Sequence, residues 1–272
     1  MLRYDPSNPM GYETLRTATD SRGVATLTLS RPEVRNAFDE MLVAELREAL
    51  ARFADDNSVR VLVLTGEGSS FSAGADLDWM RRSADWPAEK NLADAEAAAS
   101  MLLSLDRLPK PVVARVNGPA MGGGAGLVAC ADVALAAESA YFAFPEVRLG
   151  IAPAVISPYV VRSVGERRAR LLFLSGARFS ARQAREYGLV HELAPDAELD
   201  QRVEAAVAEL LRAAPGAASA AKALVRRVAG RPVDEALGQE TAHRIAELRA
   251  SEEGREGIAA FLKKRKPSWR PT

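Results

Sequence analysis

Cysteine occurs once, at Cys130, and histidine twice, at His191 and His243. A single cysteine excludes a disulfide within the chain and any zinc site built on cysteines. Two histidines exclude metal centres made of several imidazoles and leave only two candidate bases for a serine nucleophile. An excess of one charge is also lacking, since 36 Lys+Arg stand against 36 Asp+Glu. A nucleic-acid binder normally carries a basic excess, so that class is disfavoured. No apolar run approaches the ~20 residues of a membrane span. Residues 1–11 hold two prolines and Asp5 but no apolar segment of the signal-peptide kind. The expectation is a soluble cytoplasmic protein with no metal, no nucleic-acid partner and no membrane partner.

What is present describes a globular chain. Of 272 residues, 48% are hydrophobic and 26% charged, which excludes disorder as the main theme and suffices for a full core. Charge is unevenly placed: residues 255–272 hold six basic side chains and one acidic, a net of +5, leaving −5 on the rest.

Val24–Leu29 alternates apolar and polar residues as a half-buried strand does. Leu42, Leu46, Ala49, Leu50 and Phe53 recur at helical spacing, with Asp39 and Glu40 at the helix start, where negative charge suits the dipole. Residues 59–64, 112–116 and 133–136 read as strands, and 92–105 as an Ala-rich helix between them. Strands alternating with helices predict an α/β fold. Ser180 and Gln183 form a capping-box pattern. After about Pro195 the strand signal ends, and 198–213, 216–228, 233–249 and 252–263 all read as helices. The expected organisation is an α/β body over 1–196 and an all-α region over 197–272.

Several catalytic motifs fail. The run from Gly122 to Gly126 follows a strand, but the third glycine of a dinucleotide-binding loop would fall on Leu127. There is no P-loop, no G-x-S-x-G, and His191-Glu192 does not open an H-E-x-x-H. Two other turns are more promising. Residues 71–77 and 117–126 each follow a buried strand and are rich in small side chains, which let a ligand approach the backbone. Two N–H donors from two such turns, one of them opening a helix near Gly123, would form an oxyanion hole. The plain alternative is a pair of tight turns with no ligand. A third stretch, Tyr141 to Gly150, places the carboxylate of Glu146 between Phe144-Pro145 and Val147. Apolar surroundings would raise its pKa and fit it for proton transfer. Here the plain alternative is a surface glutamate paired with Arg148.

Together these stretches resemble the crotonase (enoyl-CoA hydratase/isomerase) superfamily. The resemblance runs from Ser30-Arg31-Pro32 and Asn36-Ala37-Phe38, through 71–77, 114–132 and 144–150, to Gly188-Leu189-Val190 and residues 261–267. It implies an α/β spiral of ββα turns with a helical C-terminal trimerisation region, assembled as a homotrimer or homohexamer. It also implies an acyl-CoA substrate whose thioester oxygen is held by the N–H groups of Ala75 and Gly123, with no cofactor beyond the coenzyme A moiety. Arg35 and Ala37 would lie near the CoA. Ala73, Asp76 and Leu77 would frame its adenine and pantetheine by backbone contacts. Phe261 and Lys264 would come from a neighbouring subunit.

Hydratases of this family share one water between two glutamates. Glu146 matches the second, while the first position falls on Gly126. Glu146 alone is enough for a Δ3,Δ2-enoyl-CoA isomerase, which moves one proton between carbons. The text of 78–80, 91–95, 126–132 and 152–161 looks like bacterial methylglutaconyl-CoA hydratases, which points to hydration of a branched dicarboxylic enoyl-CoA in leucine breakdown. Trp79 is a candidate for the acyl pocket, and Arg148 for meeting a substrate carboxylate. An RNA-binding or non-catalytic crotonase-like role is the remote alternative, against which stand the neutral charge and the lack of an aromatic-plus-basic platform.

Overall fold

The computed structural model describes residues 11–270. Strand β1 (Leu15–Thr19) pairs antiparallel with β2 (Val24–Leu29), and helix α1 (Glu40–Asp55) then leads to β3 (Val61–Gly66). Helices α2 (Leu77–Ser83) and α3 (Ala88–Asp106) precede β4 (Val112–Val116). A short strand β5 (Ala120–Met121) runs into α4 (Gly123–Cys130), followed by β6 (Val133–Ala137) and β7 (Tyr141–Ala143). Next come α5 (Ser157–Val164), α6 (Glu166–Ser175), β8 (Phe179–Ser180), α7 (Ala181–Tyr187) and β9 (Glu192–Ala194). Four helices close the chain: α8 (Leu199–Leu210), α9 (Pro215–Val228), α10 (Glu235–Ala250) and α11 (Glu252–Leu262).

The main sheet has the order β1-β2-β3-β4-β6-β9, parallel from β2 onward. Its central strand β3 is buried throughout, as a sheet covered on both faces requires. The two-residue period separates the faces. Leu62 and Leu64 join the main core with α1, α3 and α4, whereas Val61 and Val63 join a second core with Leu199, Val203 and Val207 of α8. The apolar series of α1 is buried as its spacing predicts, and Asp39 caps that helix by accepting from the Leu42 N–H at 2.8 Å. Both bonds of the capping box at Ser180 form.

The fold is the expected mixed α/β arrangement with a helical C-terminal region. Packing starts that region later than composition does, because α8 covers the second face of the sheet and belongs to the α/β body. Strand β1 is an edge strand of the main sheet. Helices α5 and α6 had no counterpart in the sequence reading. A second, three-stranded sheet has the order β5-β7-β8 and sets the segment after β7 beside the turn after β4.

Candidate active site

The two small-residue turns leave the C-terminal ends of neighbouring parallel strands, β3 and β4, where ligands of open α/β sheets gather. Backbone hydrogen bonds join them. Phe71 and Ser72 N–H both donate to Pro119 O at 3.1 Å, and Met121 N–H donates to Ser72 O at 2.9 Å. A third segment braces the first turn. Phe38 and Ala75 form an isolated parallel bridge, in which Phe38 N–H donates to Gly74 O at 2.7 Å and Asp76 N–H donates to Phe38 O at 2.8 Å. Such pairing turns the N–H of Ala75 away from Phe38, because the bonds to Phe38 come from the residues on either side. Gly123 opens α4, so its N–H is one of those a helix start leaves without an internal partner. Neither N–H has a backbone acceptor among the described residues. Two N–H groups without a backbone acceptor thus stand on adjoining turns. A Cβ on Gly74 would stand 3.8 Å from the Cα of Gly122, which shows how closely the turns approach. The ring of Phe38 wedges against the second turn, since a Cβ on Gly123 would stand 2.7 Å from its Cε2.

Glu146 lies on a short 3-10 turn, Pro145–Leu149, directly after β7. Its carboxyl faces Gly122: a Cβ there would be 2.9 Å from Oε1. Gly122 has φ +48° and ψ −118°, a conformation that a side chain would strain, so glycine is required twice over. Glu146 Oε2 is buried with no hydrogen-bond partner. Burial pushes the Glu146 carboxyl above its ordinary range, opposed only by its own backbone N–H. The surface ion pair with Arg148 is not formed, because that guanidinium reaches Ser175 O at 3.3–3.4 Å. A half-buried acid with a raised pKa therefore stands beside two unused donors, which suits proton transfer to a carbon whose negative charge is held on oxygen.

One turn along α4 from Gly122 lies Gly126, whose N–H bonds Gly122 O at 3.0 Å. A Cβ on Gly126 would stand 2.3 Å from Ile156 Cγ2. The position that carries the first glutamate in the resemblance thus meets a buried isoleucine, and this side of the site is apolar. Sequence reasoning missed Ile156, Phe38 and Gly122 as site neighbours. The text around Ile156 carries no motif, and three successive glycines do not say which one needs a positive φ.

The residues expected at CoA divide into three groups. Arg35 and Leu77 are exposed on the rims of the turns. Ala37, Ala73 and Asp76 serve the frame: Ala37 O accepts from Arg31 Nη1 at 2.6 Å, Ala73 N–H donates to Arg35 O at 2.9 Å, and Asp76 N–H is taken by Phe38. Any backbone contact of Ala73 or Asp76 with a ligand is left to carbonyl oxygens. For the Asp76 carboxyl, burial works upward but is outweighed by the N–H groups of Trp79 and Asp78 and by Arg31, so its pKa falls below the usual value. Phe261 and Lys264, on and just past α11, are exposed and belong to the terminal helices.

The other residues weighed in the sequence are His191, His243, Cys130 and Trp79. His191 Nδ1 accepts the Ala134 N–H at 3.0 Å, and His243 is exposed on α10. Cys130 is buried, which pushes its thiol pKa well up. Trp79 is half-buried and its Nε1 donates to Asp94 at 3.3 Å. Among the described residues no cluster of His, Cys, Asp and Glu could hold a metal ion, and no helix is long and apolar enough to cross a membrane.

The sequence profile of the enoyl-CoA hydratase/isomerase family matches residues 19–272. The chain belongs to that family. It is 38% identical over 251 residues to the 2,3-dehydroadipyl-CoA hydratase of Escherichia coli, covering 91% of this chain and 95% of that protein. Among solved structures, an enoyl-CoA hydratase from Shewanella pealeana superposes with TM-score 0.92 at 40% identity, covering 95% of this chain and 97% of the other. Pseudomonas aeruginosa AtuE gives TM-score 0.91 at 43% identity, covering 95% and 100%. The chain is an enzyme of the hydratase/isomerase type with the crotonase fold, and an acyl-CoA substrate agrees with that membership.

Proposed function

We propose that this enzyme hydrates the 2,3 double bond of an enoyl-CoA thioester, with 3-methylglutaconyl-CoA as the candidate substrate in leucine breakdown. The observation that carries the reading is the unpartnered, buried carboxyl oxygen of Glu146 beside two free backbone donors. The thioester oxygen would sit between the N–H groups of Ala75 and Gly123. Glu146, ionised, takes a proton from water as the water oxygen bonds to C3. The electron pair of the double bond moves onto the thioester oxygen, where the two donors hold it. Glu146 then returns the proton to C2. No metal and no cofactor beyond the CoA moiety enters this scheme. The relatives' names support hydration, and the stretches resembling methylglutaconyl-CoA hydratases support the acyl group. CoA would cross the rim of Arg35 and Leu77, with Phe261 and Lys264 supplied by a neighbouring subunit of a homotrimer or dimer of trimers in the cytoplasm.

A second reading, Δ3,Δ2-enoyl-CoA isomerisation, is favoured by the apolar contact of Gly126 with Ile156, which leaves Glu146 without a second carboxylate. Mass spectrometry of products from 3-methylglutaconyl-CoA, crotonyl-CoA and a 3-enoyl-CoA separates the two. A gain of one water from the first substrate supports hydration. Rearrangement of the 3-enoyl-CoA at unchanged mass, with no water gained by either 2-enoyl thioester, overturns it.

A further inference from the structure

Phe38 and Ala75 are paired, so the residues that follow them, Asp39 and Asp76, stand side by side. Both are carboxylates that cap helices. Asp39 Oδ1 accepts from Leu42 N–H at 2.8 Å, and Asp76 Oδ1 accepts from Asp78 N–H at 2.8 Å and Trp79 N–H at 3.2 Å. Their other oxygens meet one cation: Arg31 Nη2 lies 3.0 Å from Asp39 Oδ2 and 3.0 Å from Asp76 Oδ2. The three side chains are only 16%, 17% and 9% exposed, so water screens this group poorly. Arg31 Nη1 also binds Ala37 O at 2.6 Å, and Arg31 N–H binds Asn36 Oδ1 at 2.9 Å. Asn36 is fully buried, adopts φ +56°, and passes its amide protons to Glu67 O and Ser70 O at 2.9 Å each. The whole 31–39 loop is therefore a bracket on the turn that carries the Ala75 N–H.

We infer that Arg31 is a positioning residue for catalysis, aiming the Ala75 N–H at the thioester oxygen by neutralising two carboxylates one residue beyond the Phe38–Ala75 bridge. Without the guanidinium, two adjacent and poorly solvated negative charges repel each other across the bridge that fixes Ala75. Arg31 touches no reacting atom in this scheme. Its effect is on direction, and a donor a fraction of an ångström off line stabilises the oxyanion less. The inference rests on the reading that Ala75 and Gly123 hold a thioester oxygen.

The test compares R31M with R31M/D39N, in which one of the two facing charges is removed while asparagine still caps α1. Two readouts are used besides the melting temperature. One is kcat and KM with the best enoyl-CoA substrate. The other is the absorption of a bound para-dimethylaminocinnamoyl-CoA, which moves to longer wavelength as its carbonyl is polarised and needs no turnover. R31M should lose on the order of 10- to 100-fold in kcat, the scale of a weakened oxyanion donor, with KM changed far less. It should also lose much of the absorption shift, and R31M/D39N should recover a clear part of both. A folded R31M with the full shift and normal kcat overturns the inference. So does a double variant no better than R31M, because the loss would then be packing rather than charge. If R31M fails to fold but the double variant folds and polarises the probe, the inference stands. If neither folds, Arg31 holds the fold rather than the turn, and the inference is lost. A wild-type protein that does not shift the probe removes the proposed function itself, which is a different failure.

Discussion

Glu146 is kept at a cost to the fold, and that cost is measurable. Its folded pKa is raised by burial, so the folded state binds the proton more tightly than the unfolded chain does. The penalty for ionising it is absent below the ordinary glutamate value of 4.5 and fully present once pH exceeds the raised folded value. E146Q should therefore melt higher than wild type at neutral pH, and the gain should vanish when melting is followed below pH 4.5. The same variant should lose at least ~100-fold in kcat as proton transfer is removed, while still binding acyl-CoA in calorimetry. In the wild type the acid limb of kcat/KM should fall above 4.5, since Glu146 must start ionised. The apolar setting of this residue was legible from its aromatic and proline neighbours, but its role came only from the family resemblance. Ile156 was not legible, because its role arises from a contact with Gly126 across 30 positions of chain. That contact makes a second prediction. G126E by itself should be overpacked, losing about 1–3 kcal/mol in denaturant titration, and should gain no hydration of crotonyl-CoA. G126E/I156A clears the γ-methyl from the new side chain's path and should exceed both single variants in that hydration assay; equal rates in all three would show that the second carboxylate is not limiting.

Elements with a strong local signal came out of the sequence nearly intact. Val24–Leu29 and Val112–Val116 are strands as their alternating or β-branched text requires, and the buried series from Leu42 to Phe53 defines α1. The Ala-rich helix extends further at its start than expected, to Ala88, where Pro87 precedes the first turn. Helices α5 and α6 were missed, because Gly165 separates two short segments and arginines crowd the second. The two small-residue turns were legible in the sequence, but their pairing was not. Parallel bridges between loops 71–72 and 119–120, and between Phe38 and Ala75, depend on strand order, which a single chain's periodicity does not report. Local chemistry can still be tested at this scale. Ser180 Oγ accepts from the Gln183 N–H at 3.3 Å, and Gln183 Oε1 accepts from the Ser180 N–H at 2.9 Å. S180A should cost about 1 kcal/mol in urea unfolding while leaving kcat unchanged, because α7 does not touch Glu146 through this cap.

At the scale of the molecule, the body and the terminal helices obey different rules. The body buries its apolar residues on both faces of the sheet, whereas the last three helices leave theirs in the open. Val225 is 66% exposed, Phe261 83% and Leu262 73%, and Val233 in the loop before α10 is 97% exposed. Helix α10 buries only Leu237, among 16 residues. A monomer rarely leaves so many apolar side chains uncovered along one region, and the proposed homotrimer or homohexamer would cover them. The basic tail adds a second reason. Arg265 is tied to Glu256, but Lys263, Lys264 and Lys266 are exposed without an ion pair among the described residues, as anion-binding cations would be. If neighbours both cover α11 and borrow its end for CoA, a single change should break two properties together. F261K/L262K is expected to shift sedimentation from a trimer or hexamer toward monomer and, in the same preparation, to raise KM for acyl-CoA by about tenfold or more, equivalent to ~1.4 kcal/mol of lost binding. Glu146 and both small-residue turns lie on the body, so the spectral shift of a saturating cinnamoyl-type thioester should survive in the monomer. A monomer that keeps its KM would show that the tail serves assembly alone; an unchanged multimer would show that Phe261 and Leu262 face solvent in the assembly too.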